Sequence, residues 1–150
     1  MKTLIATVFS LMLLIPGINT VKVEDTITIT VTVEGIRNSS GSIAIALHNE
    51  ESDSDFPEAE AFREESVSLN SSGDVEIVFE DIPAGDYAVA LMHDENDNGD
   101  LDFNEFGMPI EGFGFSNEAM GDQGPPDFDQ AAFSAEKDTD ITVSLIYMGS

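Results

Sequence analysis

Between its turns the chain alternates apolar and polar or small residues with a period of two, which predicts strands rather than helices. Thr26 to Val33 reads TITITVTV, a β-branched strand with one buried face. Gly35 ends it, and Asn38-Ser39-Ser40-Gly41 supplies turn chemistry. Ile43, Ile45 and Leu47 then alternate with Ala44, Ala46 and His48, so the first two strands are expected to form a hairpin. Pro57 to Glu65 (PEAEAFREE) predicts one or two helical turns, with Pro57 placed where its missing N–H costs nothing. Val67 and Leu69 open a third strand, Asn70-Ser71-Ser72-Gly73 turns, and Val75, Ile77 and Phe79 carry a fourth. A Pro/Gly turn over residues 82–87 leads into Tyr87, Val89 and Leu91, and Thr139 to Tyr147 forms the last strand.

Short strands with turns at close spacing predict an all-β sandwich or barrel of about seven strands. Ile43, Ile45, Leu47, Val75, Ile77, Phe79, Val89 and Leu91 are its expected core. Asp94 to about Asp127 shows no period, and a loop that long in a small domain is functional or disordered. Phe103, Phe106, Phe113, Phe115 and Phe128, interleaved with glycines, argue for one long ordered loop with the rings packed beneath it. Those rings either cap the sandwich or stack on a ligand.

Inside this segment, oxygen-bearing side chains fall at every second position around one glycine. With Asp94 as position 1, Asn96 is 3, Asn98 is 5, Gly99 is 6, Asp100 is 7, Asp102 is 9 and Glu105 is 12, the pattern of an EF-hand calcium loop. The spacing suits a hard cation that takes six to eight oxygens from a chain that turns sharply at its middle. Candidate Ca²⁺ ligands are therefore Asp94, Asn96, Asn98, Asp100 through its carbonyl, Asp102 and Glu105. A strand rather than a helix precedes the loop, so this is a calcium-type turn on a β scaffold. Asp, Asn and Gly also build solvated turns, which is the competing interpretation.

Charge narrows the partners. Thirty acidic against 5 basic residues give a net charge of −25, which excludes nucleic acid and anionic membrane surfaces and favours cations. With 150 residues, 41 % of them hydrophobic, the chain has enough for one packed domain. It has no Cys, so neither disulfides nor thiolate chemistry applies. Lys2 precedes an apolar run from Leu4 to Ile15 and then Pro16-Gly17, the arrangement of a secretory leader. Residues 1–20 are thus expected to be a signal peptide and 21–150 the β domain, exported to the periplasm or beyond the cell.

The run HDENDNGDLDFNEFGMPIEGFGFSN (93–117), with IPAGDYAVALMHD before it and GPPDFDQAAF after it, resembles the bacterial secreted proteins grouped as domain of unknown function 2141. The resemblance implies a single exported β-sandwich, immunoglobulin-like or transthyretin-like, with no assigned activity and no catalytic residues. It also implies that Asp94, Asn96, Asn98, Gly99 and Asp102 are firmer positions than Glu105, where an apolar residue is common. Glu105 is accordingly the weakest of the six ligands.

An alternative chemistry rests on His48 and His93, each at the end of a predicted strand. If those strands are neighbours, two imidazoles and loop carboxylates would form a transition-metal or hydrolytic site. There is no G-x-S-x-G elbow and no phosphate-binding glycine motif. Two readings stand: a non-enzymatic calcium-stabilised module that presents a ligand or protein surface near Phe103, Phe106, Phe113 and Phe115, or an enzyme built on His48 and His93.

Overall fold

A computed structural model describes residues 25–71 and 73–149. The expected leader, residues 1–20, lies outside them. Eight strands run β1 Thr26–Glu34, β2 Ser42–Asn49, β3 Arg63–Ser68, β4 Val75–Pro83, β5 Gly85–Asp94, β6 Gly112–Phe115, β7 Phe133–Ala135 and β8 Thr139–Ser144. The described helices are short: 3₁₀ turns at Glu50–Asp55 and Ser116–Glu118, and α1 at Phe128–Ala131. The architecture is an all-β sandwich. One sheet has the order β4-β1-β8; the other has β3-β2-β5-β6, with β7 paired to β5 beyond the end of β6.

The period-2 pattern explains the packing. Ile29, Val31 and Val33 of β1 and Ile77 and Phe79 of β4 meet Ile43, Ile45 and Leu47 of β2 and Val89 and Leu91 of β5 in one core, all of them buried. Each such side chain contributes about 1.5–3 kcal/mol on burial. Of the expected core, only Val75 is half-buried.

The expected hairpin of the first two strands is corrected, and the strands on either side of the second Asn-Ser-Ser-Gly turn also lie in different sheets. β1 pairs with β4 and β8, whereas β2 pairs with β3 and β5, so the turns after β1 and after β3 carry the chain between sheets. A Gly-containing turn reverses direction equally well beside a strand or across from it. The choice is made by the apolar faces of β1 and β2, which bury each other only when stacked.

The expected helical turns over 57–65 are likewise absent. Phe56 precedes a cis proline in a turn, and the chain is extended from Arg63 to pair with β2. Backbone pairing to an open sheet edge here overrides weak helix propensity. Its exposed charges, Glu64 and Glu65, suit an edge strand.

The 94–127 segment holds more regular structure than expected. In β6, the sequence GFGF hides its pairing because the inner positions carry no side chain. Gly112 lies against the Tyr147 ring and Gly114 against the Ser144 carbonyl, where a Cβ would come within 2.5 and 2.7 Å. Beyond β8 the tail crosses to this strand, Phe113 and Ile146 exchanging backbone hydrogen bonds of 3.0 and 2.8 Å. At the opposite corner the Tyr87 hydroxyl donates to the Pro83 carbonyl at 2.7 Å, bracing the crossing from β4 to β5.

Candidate functional site

β5 ends at Asp94, and its last residues set the base of the loop. Asp94 is only 4 % exposed, and its two carboxylate oxygens accept the N–H groups of Asn98 (3.1 Å) and Gly99 (2.7 Å). The Asn96 Oδ1 accepts from the Asn98 N–H at 3.1 Å, and the Asn98 Oδ1 from the Asp100 N–H at 2.9 Å. Asn96 and Asn98 thus fold back on the backbone two residues ahead and Asp94 on that four and five ahead, which coils the chain into a ring. Gly99, at φ 84°, makes the sharp turn that closes it.

Asp102 lies across that ring. Its Oδ2 accepts from the Asn96 amide at 2.6 Å and its Oδ1 from the Asn98 amide at 3.1 Å. Four predicted ligands, Asp94, Asn96, Asn98 and Asp102, thus share one coil. Asp100 joins through its backbone, with an exposed side chain.

Glu105 is not brought in. Residues 102–110 form a small hairpin: Ile110 N–H donates to the Asp102 carbonyl (2.9 Å), Asn104 N–H to the Met108 carbonyl (2.9 Å), and Phe103 bridges Pro109. The Asn104 side chain caps its tip by accepting from Phe106 and Met108 N–H. The reversal carries Glu105 to an exposed tip instead of continuing the coil. The same tip holds Phe103 and Phe106, 56 % and 79 % exposed, which corrects the expectation that these rings pack beneath the loop. Phe115 and Phe128 are buried and Phe113 is half-buried.

Glu111, unremarked in the sequence, takes the inner position. It is 4 % exposed, and its two oxygens accept the N–H groups of Glu95 (2.8 Å) and Asp102 (3.1 Å), tying the two ends of the coil together. Next to it, Arg37 pairs with Glu95, donates to the Ile110 carbonyl at 3.1 Å and lies over the Tyr147 ring at 4.4 Å. Burial pushes the Glu95 carboxyl up, but the Asn38 amide and the Arg37 guanidinium outweigh it and hold it below the usual value of 4.5.

The two histidines do not form a site. His93 lies opposite Ile43 and His48 opposite Ala88, positions of opposite parity on the paired strands, so the rings occupy opposite faces of the sheet. His93 is fully engaged: Nε2, facing the Ser40 carbonyl at 2.8 Å, must carry its proton, and Nδ1 then accepts from the Tyr147 hydroxyl at 2.8 Å. His48 is buried edge-on to Phe56, and neither of its ring nitrogens has a partner among the described residues. Burial lowers its pKa below 6.5, against a smaller opposing pull from Glu64.

His48 has a consequence for pH. The unfolded chain takes up a proton near pH 6.5 while the folded ring resists it, so stability falls as pH drops below that value. His48→Phe should remove this loss and, by relieving two unsatisfied nitrogens, add about 1 kcal/mol at neutral pH. Urea midpoints at pH 7.5 and 5.5 test this; a variant as acid-sensitive as the parent contradicts it. The Glu95 contribution is lost only lower, as pH falls through the carboxylate range, so the two windows separate.

The coil offers two carboxylates and two amides, all hard oxygen donors, with no free imidazole and no sulfur. Among the described residues no three His, Cys, Asp or Glu side chains come together as a metal-holding group. This donor set fits an oxygen-seeking divalent cation held by only two formal negative charges, and it does not fit zinc or copper.

Fold and loop together define a two-sheet β module with an acidic coil at the end of a central strand. The chain belongs to the family described as "Uncharacterized protein conserved in bacteria (DUF2141)", whose model matches residues 31–143. The comparisons with curated proteins and with solved structures found no match.

Proposed function

We propose that this chain is an exported, non-enzymatic β-sandwich module whose 94–105 loop binds Ca²⁺ weakly, and that the ion orders a surface for a ligand or partner protein. Asp94, Asn96, Asn98 and Asp102 are its side-chain ligands and Asp100 contributes a carbonyl; Glu105 stands outside the set. One observation carries the reading. A nearly buried Asp94 is pinned by two loop N–H groups while the polar ends of Asn96, Asn98 and Asp102 meet across the coil. Each oxygen in these bonds keeps a second lone pair for a cation.

With only two carboxylates, affinity belongs to the weak extracellular range of about 10⁻⁴–10⁻³ M. Mg²⁺ is a poor substitute because it demands near-ideal octahedral geometry and gives up water reluctantly. Export is proposed from the leader-like residues 1–20, a lysine followed by an apolar run and Pro-Gly. The partner surface is the segment bearing the exposed Phe103 and Phe106 and the half-buried Phe113.

A titration followed by NMR tests the metal site. Ca²⁺ at millimolar concentration should move the amide resonances of Asn98, Gly99 and Asp100, with Mg²⁺ moving them far less. Unmoved resonances at 10-fold the expected dissociation constant, about 10 mM, would defeat the proposal.

A further inference from the structure

The outer face of the β3-β2-β5-β6 sheet is not built like an ordinary solvated face. Strand register places Glu64, Ala46, Ala90 and Phe115 in one row across it. The adjoining row is Ser66, Ala44, Met92 and Phe113. Three alanines, Ala44, Ala46 and Ala90, thus keep the floor on the two central strands low beside the longer Met92, with carboxylate and hydroxyl groups on one flank and phenyl rings on the other. The result is an open groove of about 930 Å³ running along β2 and β5. Pro57 to Ala59 close one end and Gly99 to Leu101 the other.

Its charge is one-sided. Glu58, Glu64, Glu65 and Asp100 line the groove, and among the described residues no lysine or arginine does. An apolar floor beside aromatic walls, with a few polar groups to fix orientation, is the composition of small-molecule sites, and the volume lies near the top of their usual range of about 300–1,000 Å³. A phenyl face also attracts a cation, and carboxylates strengthen that preference.

We infer that this groove binds a cationic small molecule with an apolar, ring-bearing body, its amine or guanidinium set against Glu58 and Glu64 and its body on Ala46, Ala90 and the Phe113 ring. This takes up the ligand-binding half of the reading above but needs no metal. Gly99, Asp100 and Leu101 belong both to the calcium-type coil and to the end wall, so Ca²⁺ would tune the groove rather than create it.

Three probes separate the alternatives: tryptamine, indole-3-propionate with a similar body and opposite charge, and spermine with charge and no ring. Binding is followed by NMR in about 0.15 M NaCl, in EDTA and again in CaCl₂, so that failure of the metal site and failure of the groove are read independently. Tryptamine should bind with about millimolar affinity, as befits a fragment, and shift Ala44, Ala46 and Ala90. Glu58→Gln/Glu64→Gln should weaken it about tenfold, the loss expected for charge-assisted contacts. Ala46→Leu, which fills the floor without changing charge, should abolish it, with a melting curve to show that the variant folds. Glu76→Gln/Glu80→Gln, on exposed positions of β4 in the other sheet, should leave it within about twofold.

Equal weakening by the β4 pair, shifts that fall outside the groove, indole-3-propionate binding as tightly as tryptamine, or spermine giving the same shifts would overturn the proposal. If Ala46→Leu does not fold, the two glutamine pairs still decide it.

Discussion

Gly41→Ala is expected to cost about 3–5 kcal/mol, enough to unfold much of the population of a domain this size. Gly41 sits at φ 67° in the turn before β2, where an L side chain is already strained. The larger effect is steric. A Cβ there would lie 1.8 Å from the Asp94 carbonyl oxygen and 2.8 Å from the carbonyl carbons of Asp94 and Glu95. These are backbone atoms at the root of the acidic coil, held by the Glu95–Glu111 bond and by His93 on Ser40, so they cannot swing aside as a side chain does. Urea denaturation of the variant measures the loss. A change below about 1 kcal/mol would show that the turn and the coil move together freely.

Glu111→Ala is expected to cost about 3 kcal/mol, because it strands two part-buried N–H groups, those of Glu95 and Asp102, that its carboxylate alone satisfies. Glu111→Gln separates acceptor geometry from size. Its amide keeps one oxygen but turns an NH₂ toward the second N–H, so it should recover less than half of the loss. Hydrogen exchange at Glu95 and Asp102 gives a local readout, with protection falling sharply in both variants. A glutamine variant as stable as the parent would mean that the carboxylate does not hold the coil.

These two residues show where sequence reasoning stops. Positions read from a local period survive folding: Ile43, Ile45 and Leu47 are buried, and Asp94, Asn96, Asn98 and Asp102 share one coil because the two-residue repeat is itself the geometry. What a strand pairs with is not local. Stacking β1 on β2 and pairing it with β8 depends on apolar faces distant in sequence. Glu111 was invisible for the same reason. It reaches the coil only because the 102–110 hairpin folds back, and one acid among 30 carries no signal of its own. Gly41 reads as an ordinary turn glycine until Asp94 is placed against it. The parity that separates His48 from His93 needed the β2–β5 register, although the alternation of each strand was already legible.

The claim that the coil is a calcium site is tested most directly by calorimetry at fixed high NaCl, comparing about 1 mM CaCl₂ with EDTA in the parent and in Asp102→Asn. That substitution keeps the shape of the side chain and removes one of the two formal charges. For a dissociation constant of about 10⁻⁴–10⁻³ M, the binding contributes about 0.4–1.4 kcal/mol, a rise of about 1–6 °C in melting temperature. The account predicts that rise in the parent and its near absence in Asp102→Asn. Equal shifts in both proteins, or none in either, would contradict it and leave the coil a solvated acidic turn.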